Sequence, residues 1–295
     1  MIAITGKTNL VGLLGQPVNH SLSPVMHNAA YEEMGLDWCY VAIPCDRENI
    51  EKVTTALRIV DCKGLNVTIP HKQEVLKACN KLTETANKIQ AVNTLVPEKN
   101  NQWIGANTDV EGFLMPLKNH NLINKSVIVI GCGGSARAVV MGLNSLNIRK
   151  ITIIGRNKNS LNIFITSMKN LLSKNQISIE GIDNKEIDIT SYIEEADLII
   201  NTTPIGMNDQ NNVKNNIPLG NEIWNCLSNK TILYDLIYTP RPTNWLKLGQ
   251  KKNCFVIDGL DMLVGQGALS IKLWSGFNDV PIQIMKSSAK KHLMV

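Results

Sequence analysis

The apolar run Ser126-Val127-Ile128-Val129-Ile130 feeds directly into Gly131-Cys132-Gly133-Gly134-Ser135-Ala136-Arg137, and this junction narrows the fold more than any other stretch. A short continuous apolar run bounded by glycine reads as a strand buried on both faces. Gly131 permits a tight turn out of the strand, Gly133 lets a bound group approach the backbone, and Ala136 is small enough for helix and sheet to pack closely. The pattern Ala138-Val139-Val140-Met141-Gly142-Leu143 continues as a helix. The first N–H groups of such a helix have no partner within it and face a positive dipole end, so they suit a phosphate. The order strand, glycine turn, helix therefore predicts a dinucleotide-binding α/β unit.

About twenty residues on, a second apolar strand, Ile151-Thr152-Ile153-Ile154, ends in Gly155-Arg156-Asn157, with Lys158 next. An NAD site commonly places Asp or Glu there, to accept from the ribose hydroxyl. Here the residue is an arginine, whose guanidinium binds a 2′-phosphate bidentately where a carboxylate would repel it. The expected cofactor is NADP, with its pyrophosphate against Gly131 and Gly133 and its 2′-phosphate on Arg156. Cys132 reads as a small filler of the turn.

A chain of 295 residues, 44% hydrophobic, supports a sizeable core and about two domains. Its net charge of +5 is scattered, with no basic block, which favours small anionic ligands over nucleic acid. The seven cysteines are dispersed without a C-x-x-C pair, as expected of free thiols in the cytoplasm and of a chain without a resident metal. The first fifteen residues lack the charged start and apolar run of a secretory leader, and no segment is apolar enough to span a membrane.

Strands are expected over 10–14, 40–43, 64–69 and 92–96, with helices over 24–35, 50–59, 73–79 and 84–89 between them. A helix over 110–121 leads into a second series of strands over 127–130, 151–154, 177–179, 198–201, 232–235 and 254–257. A final apolar helix over 262–277 returns to the first domain. The Asn- and Lys-rich stretch 157–184 is polar and receives no firm assignment. The fold class is thus α/β with two domains: an N-terminal substrate domain with a mostly parallel sheet (1–109 and 259–295) and a Rossmann-type domain (110–258).

Several polar clusters sit at element ends. In Ser21-Leu22-Ser23-Pro24 two hydroxyls can hold one anionic group, or Ser23 can cap the helix begun by Pro24. In Asn66-Val67-Thr68-Ile69-Pro70-His71-Lys72, strand alternation puts Asn66 and Thr68 on one side. Lys72 follows at the C-terminal end of the strand, where open α/β sheets bind ligands, and is a candidate acid/base. His71 is the competing candidate. Asp109 either pairs with Lys72, orienting it or relaying its proton, or caps the helix from Val110. Asn201-Thr202-Thr203-Pro204-Ile205-Gly206-Met207 leaves a buried strand on the cofactor side.

These clusters, with Ala91-Val92-Asn93-Thr94, Asn107-Thr108-Asp109, Tyr234-Asp235-Leu236-Ile237-Tyr238 and Asp258-Gly259-Leu260-Asp261-Met262-Leu263-Val264-Gly265-Gln266, resemble in type and order the motifs of the shikimate dehydrogenases. The resemblance runs over nearly the whole chain. It implies NADP-linked, reversible reduction of 3-dehydroshikimate to shikimate, in a cytoplasmic monomer or homodimer. It also implies residue roles. Ser21 and Ser23 would hold the substrate carboxylate. Thr68, Asn93, Asp109 and Gln266 would hold its hydroxyls, with Asn66 and Tyr238 beside it. Lys72 would be the catalytic acid/base, working with Asp109. Gly131, Cys132, Gly133, Gly134, Ser135, Gly155, Arg156, Asn157, Leu236 and Gly259 would line the cofactor site, with Glu84 beside it. Two departures stand out. The Asn-Arg-Thr expected after the second Rossmann strand is Gly155-Arg156-Asn157, which loses a capping Asn and a Thr hydroxyl. Val110 replaces the glycine that commonly follows Asn-Thr-Asp. A relative using quinate or NAD, and a ligand sensor without turnover, are the alternatives.

Overall fold

The structure is a computed structural model that describes residues 4–183, 189–207, 217–221 and 223–293. It divides into two compact units, Met1–Phe113 with Leu263–Val295, and Leu114–Met262.

The first unit is built on six strands, β1 (Asn9–Gly15), β2 (Trp38–Pro44), β3 (Gly64–Val67), β4 (Lys81–Leu82), β5 (Thr94–Glu98) and β6 (Gln102–Ala106), ordered β2-β1-β3-β5-β6-β4. β1, β2 and β3 run parallel, whereas β5 is antiparallel to both β3 and β6. The strand expected at 92–96 lies at Thr94–Glu98, and β4 and β6 were not expected. The β5–β6 hairpin turns at Asn100 and Asn101, both in the left-handed region, which asparagine tolerates better than most residues. The helix Ser23–Glu33 begins at the pair Ser23-Pro24, and proline at a first helical turn forfeits no hydrogen bond. The stretch 73–79 is a shorter 3-10 turn, Glu74–Ala78. Two C-terminal helices, Leu260–Ser275 and Ile282–Leu293, complete the unit; the second was not expected. The returning helix is anchored where the Trp274 indole donates to the Leu95 carbonyl at 3.0 Å, and the last helix where Ser288 donates to the Val25 carbonyl at 3.1 Å. The core under helix Ile50–Ile59 gathers Leu14, Leu65, Val67, Val75, Leu95 and Trp103.

The second unit is a wholly parallel sheet of β7 (Ser126–Ile130), β8 (Lys150–Gly155), β9 (Ser178–Asp183), β10 (Leu198–Asn201), β11 (Ile232–Asp235) and β12 (Phe255–Ile257), ordered β12-β11-β10-β7-β8-β9. The order reverses between β7 and β10, and the crevice at such a switch point is where this architecture takes its ligand. The polar stretch 157–184 carries the helix Lys158–Leu172 and all of β9; Asn184 lies outside the described residues. That helix buries Leu161, Phe164, Ile165, Met168 and Leu172, spaced at three, four and seven, while Asn, Lys and Ser face outward. The helix expected over 110–121 is shorter, Asp109–Leu114 followed by a 3-10 turn Met115–Leu117. Pro116 cannot donate to a continuing α-helix. Helix Asn244–Lys251 was not expected. Among the described residues no helix is long and apolar enough to cross a membrane, and no cluster of His, Cys, Asp and Glu could hold a metal.

Candidate active site

β1 and β3 deliver the first polar cluster. Beyond β3 the chain turns where the His71 N–H donates to the Thr68 carbonyl at 2.9 Å, and the next residue is Lys72. The Lys72 ammonium donates to Asp109 Oδ2 at 2.7 Å, and the two side chains are 12% and 6% exposed. Asp109 opens the helix Asp109–Leu114, but its carboxylate does not cap it: Oδ1 accepts from Asn93 Nδ2 at 2.8 Å. Asn107 Oδ1 accepts from the Asp109 N–H instead, at 3.0 Å. His71 is buried, with Nε2 within 2.5 Å of the Cys45 carbonyl, so it braces the turn and leaves the acid/base position to Lys72.

Asn93 Nδ2 also reaches Thr108 Oγ1 at 3.0 Å and Gln266 Oε1 at 3.4 Å, which brings the returning helix into the cluster. Asn66, expected beside the substrate, lies beneath it. Its Oδ1 accepts from the Tyr40 hydroxyl at 2.8 Å, and its Nδ2 faces the Asn93 carbonyl, Thr94 Oγ1 and Ser270 Oγ at 3.2, 3.1 and 2.8 Å. Thr94, Thr108, Ser270 and Tyr40 complete this scaffold; the first two lie in motifs singled out above without a role of their own, and the last two were not picked out. They couple through contacts as much as 204 positions apart, which no local pattern announces.

Thr68 is half-buried at the end of β3. Gly15 sits opposite it, and a Cβ there would come within 2.3 Å of Thr68 Cγ2, so only glycine lets β1 end against this threonine. Ser21 and Ser23 occupy the start of helix Ser23–Glu33. The Ser23 cap reading is overturned: the N-cap is Leu22, and no side chain caps the helix. The two serines are drawn together where the Ser23 N–H donates to Ser21 Oγ at 3.2 Å.

In the second unit the turn after β7 has the shape its glycines predict. Gly131 has φ +106°, and a Cβ there would lie 2.6 Å from Thr202 Oγ1 of the loop after β10. Nothing lies within 4 Å of a Cβ built on Gly133, the N-cap of helix Gly134–Asn144, and no side chain caps that helix. Open space at the N-terminus of a helix, where backbone N–H groups and the positive dipole end point outward, suits a pyrophosphate. Gly155 ends β8, paired in register with Asp183, and Arg156 is exposed beyond it. Cys132, in the turn, is a thiol that burial pushes up, against the nearby Arg137 and Arg156 charges, and Ser135 lies in the first turn of the helix that follows. Asn157 corrects one departure: its Oδ1 accepts from the Ser160 N–H at 2.9 Å, so helix Lys158–Leu172 has its cap from the third position of the triplet.

The loop after β11 is held by Asp235, whose carboxylate accepts from Thr243 Oγ1 at 2.8 Å, Asn201 Nδ2 at 3.0 Å and the Ile237 N–H at 3.1 Å. Leu236 follows it, and Gly259 packs on Leu236 so closely that a Cβ would lie 2.0 Å from the Leu236 carbonyl oxygen. A Gly259→Ala variant is expected to lower the melting temperature by about 4 °C or more, since backbone must move, and to weaken NADP binding in a calorimetric titration. Tyr238 lies in this second unit, half-buried. Glu84, grouped with the cofactor residues, is in the first unit; its side chain is 82% exposed and pairs with Lys88 at 2.5 Å. The structure thus brings Lys72, Asp109, Asn93 and Gln266 of the first unit into one cluster, with Asn66 beneath, and assembles the glycine turn within the second unit.

Residues 13–95 match the family model for the shikimate dehydrogenase substrate-binding domain, and residues 259–290 match that for the shikimate 5′-dehydrogenase C-terminal domain. A relative from Prochlorococcus marinus (strain MIT 9515), named shikimate dehydrogenase (NADP(+)), is 50% identical over 290 residues, covering 98% of this chain and 100% of the relative. A solved shikimate dehydrogenase in complex with NADP+ superposes with a TM-score of 0.86 at 34% identity, covering 99% of this chain and 98% of that one. The Thermus thermophilus enzyme in complex with NADP(H) and shikimate superposes at 0.80 and 28% identity, covering 96% and 99%. The motifs, the two sheets and these relatives agree, and the chain belongs to the shikimate dehydrogenase family.

Proposed function

We propose that this chain is an oxidoreductase that catalyses the NADP-dependent, reversible reduction of 3-dehydroshikimate to shikimate, a step toward chorismate and the aromatic amino acids. The observation that carries the reading is the Lys72–Asp109 pair at 2.7 Å, held in a cluster of neutral donors and acceptors. NADP, when bound, supplies the hydride for reduction and takes it up in oxidation. Lys72 Nζ gives a proton to the oxygen of the carbonyl being reduced, and takes it back in the reverse direction. Its charge stabilises the alkoxide as that charge develops. Asp109, fixed from its other side by Asn93, keeps the ammonium in one place. Ser21 and Ser23 receive the substrate carboxylate. Thr68, Asn93, Asp109 and Gln266 fix the hydroxylated ring, with Tyr238 beside it and Asn66 supporting from beneath. Domain roles follow: residues 1–109 and 259–295 hold the substrate, and residues 110–258 hold NADP on Gly131–Ser135, Gly155–Asn157 and Leu236, joined from outside that range by Gly259 and Glu84. All seven cysteines are free thiols, which supports work in the cytoplasm. The chain works there as a monomer or homodimer.

The test is initial-rate oxidation of shikimate and of quinate, each with NADP and with NAD. Turnover confined to shikimate with NADP is expected. Quinate turnover with NAD would overturn the specificity, and no turnover with any pair would bring the sensor reading forward. Arg156→Ala is expected to raise the KM for NADP by about tenfold to a hundredfold, the range of a charged hydrogen bond, and to leave that for NAD within twofold. Equal losses with both cofactors would remove Arg156 from the phosphate site.

A further inference from the structure

A chain of hydrogen bonds, every donor pointing the same way, ends on the carboxylate that holds Lys72. The Tyr40 hydroxyl donates to Asn66 Oδ1 at 2.8 Å. That fixes the Asn66 amide, whose Nδ2 faces Thr94 Oγ1 at 3.1 Å. Thr94 Oγ1 donates in turn to Asn93 Oδ1 at 2.9 Å. The Thr108 N–H donates to the same oxygen at 2.8 Å, so that end of the Asn93 amide is its oxygen. Asn93 Nδ2 is therefore the end that donates to Asp109 Oδ1, at 2.8 Å. A flipped amide would put an oxygen against a carboxylate. Ser270 Oγ closes the ring 3.0 Å from Thr94 Oγ1 and 2.8 Å from Asn66 Nδ2. Tyr40, Asn66, Thr94, Asn93 and Asp109 are all buried, and donors aligned in a low-dielectric site reinforce one another.

We propose that Thr94 is a positioning residue for substrate recognition: its hydroxyl links Tyr40 and Asn66 to Asn93 and so sets the orientation in which Asn93 and Asp109 meet the ring hydroxyls of shikimate. The inference rests on the function proposed above. Thr94 itself is fully buried, so it acts only through Asn93. Its hydroxyl donates to Asn93 Oδ1 and accepts from Asn66 Nδ2, with Ser270 Oγ at 3.0 Å and Thr108 Oγ1 at 3.3 Å beside it. Thr94→Val keeps the shape and removes the link, while Thr94→Ser keeps the link and removes a methyl.

The test is calorimetric titration of shikimate into the wild-type chain and each variant without NADP, followed by KM values for both substrates. Thr94→Val is expected to raise the Kd and KM for shikimate about tenfold, the size of one hydrogen bond, with the KM for NADP within twofold of wild type. Thr94→Ser is expected within threefold of wild type throughout. Tyr40→Phe breaks the chain at its far end and should weaken shikimate severalfold. Combined with Thr94→Val it should add nothing, since the link is already broken. A Thr94→Val Kd within twofold of wild type overturns the inference and leaves the function standing, as does a Thr94→Ser variant as weak as Thr94→Val, which would assign the effect to packing. If Thr94→Val does not fold, Tyr40→Phe decides: an unchanged Kd overturns the proposal. A wild-type chain that does not bind shikimate overturns the function, and the inference with it.

Discussion

Replacing Lys72 by alanine is expected to lower kcat for shikimate oxidation at least a hundredfold, the usual contribution of a positioned proton donor or acceptor. His71 cannot take over the role. It is 1% exposed, and its Nε2 lies against the Cys45 carbonyl at 2.5 Å. The same substitution has a second consequence, because Asp109 loses its cation in a site where it is only 4% exposed. Breaking a buried ion pair from one side costs about 3–5 kcal/mol. Asn93 still donates to Asp109 Oδ1 at 2.8 Å, which brings the expected loss toward the lower end of that range. The double variant Lys72→Ala, Asp109→Ala removes the stranded charge, so it should recover stability without recovering turnover. Melting curves and initial rates on the three proteins separate the two effects. A single variant with kcat within tenfold of wild type would refute the acid/base role.

The Lys72–Asp109 pair was legible because each residue sits at the end of a recognisable element with a chemically suitable partner. So was the glycine turn, where an apolar strand, Gly131 and the small Ala136 all require the same geometry. The scaffold around Asn93 was not. Thr94 and Ser270 meet across 176 positions, and a buried serine on an apolar helix has no periodicity of its own. Strand β6 escaped for a different reason. Its sequence Gln-Trp-Ile-Gly-Ala alternates poorly, and the Asn100-Asn101 turn before it was the better clue, since both residues adopt the left-handed conformation that hairpin turns demand. The helix Lys158–Leu172 hid behind its own surface: counting Asn and Lys obscures a buried face of Leu161, Phe164, Ile165, Met168 and Leu172 that spacing alone reveals. The returning helix was visible as an apolar run, but its partners come from the opposite end of the chain.

The two units are expected to respond to acid in opposite directions, because burial shifts the proton affinity of His27 in one and of Asp235 in the other, with opposite effect. In the first, His27 is fully buried on helix Ser23–Glu33, stacked on Tyr40 with ring centroids 4.1 Å apart, and burial pushes its imidazole down to about 3. The unfolded chain takes up that proton near pH 6.5 and the folded one does not, so the unit keeps its full stability above about pH 6.5 and loses it progressively as pH falls toward 3. The whole window corresponds to about 5 kcal/mol, and about 2 kcal/mol of it falls above pH 5. Paired carboxylates of the same unit act in the same sense: Lys63 beside Asp61, Arg47 beside Glu74 and Lys81 beside Glu98 each hold a carboxyl below its ordinary value. In the second unit, burial raises Asp235 to about 6, against the hydrogen bonds from Thr243, the Ile237 N–H and Asn201. There the folded state holds the proton more tightly than the unfolded chain. Its contribution is therefore present at low pH and lost as pH rises through about 6, which amounts to about 1 kcal/mol gained on going from pH 7.5 to pH 5. Hydrogen exchange read separately for the two units at those pH values checks this: protection should fall in the first and hold or rise in the second. His27→Leu should flatten the slope of the first unit alone, whatever its absolute stability, and Asp235→Asn that of the second. Parallel loss of protection in both, or a His27→Leu slope equal to wild type, would mean that other groups govern the acid response.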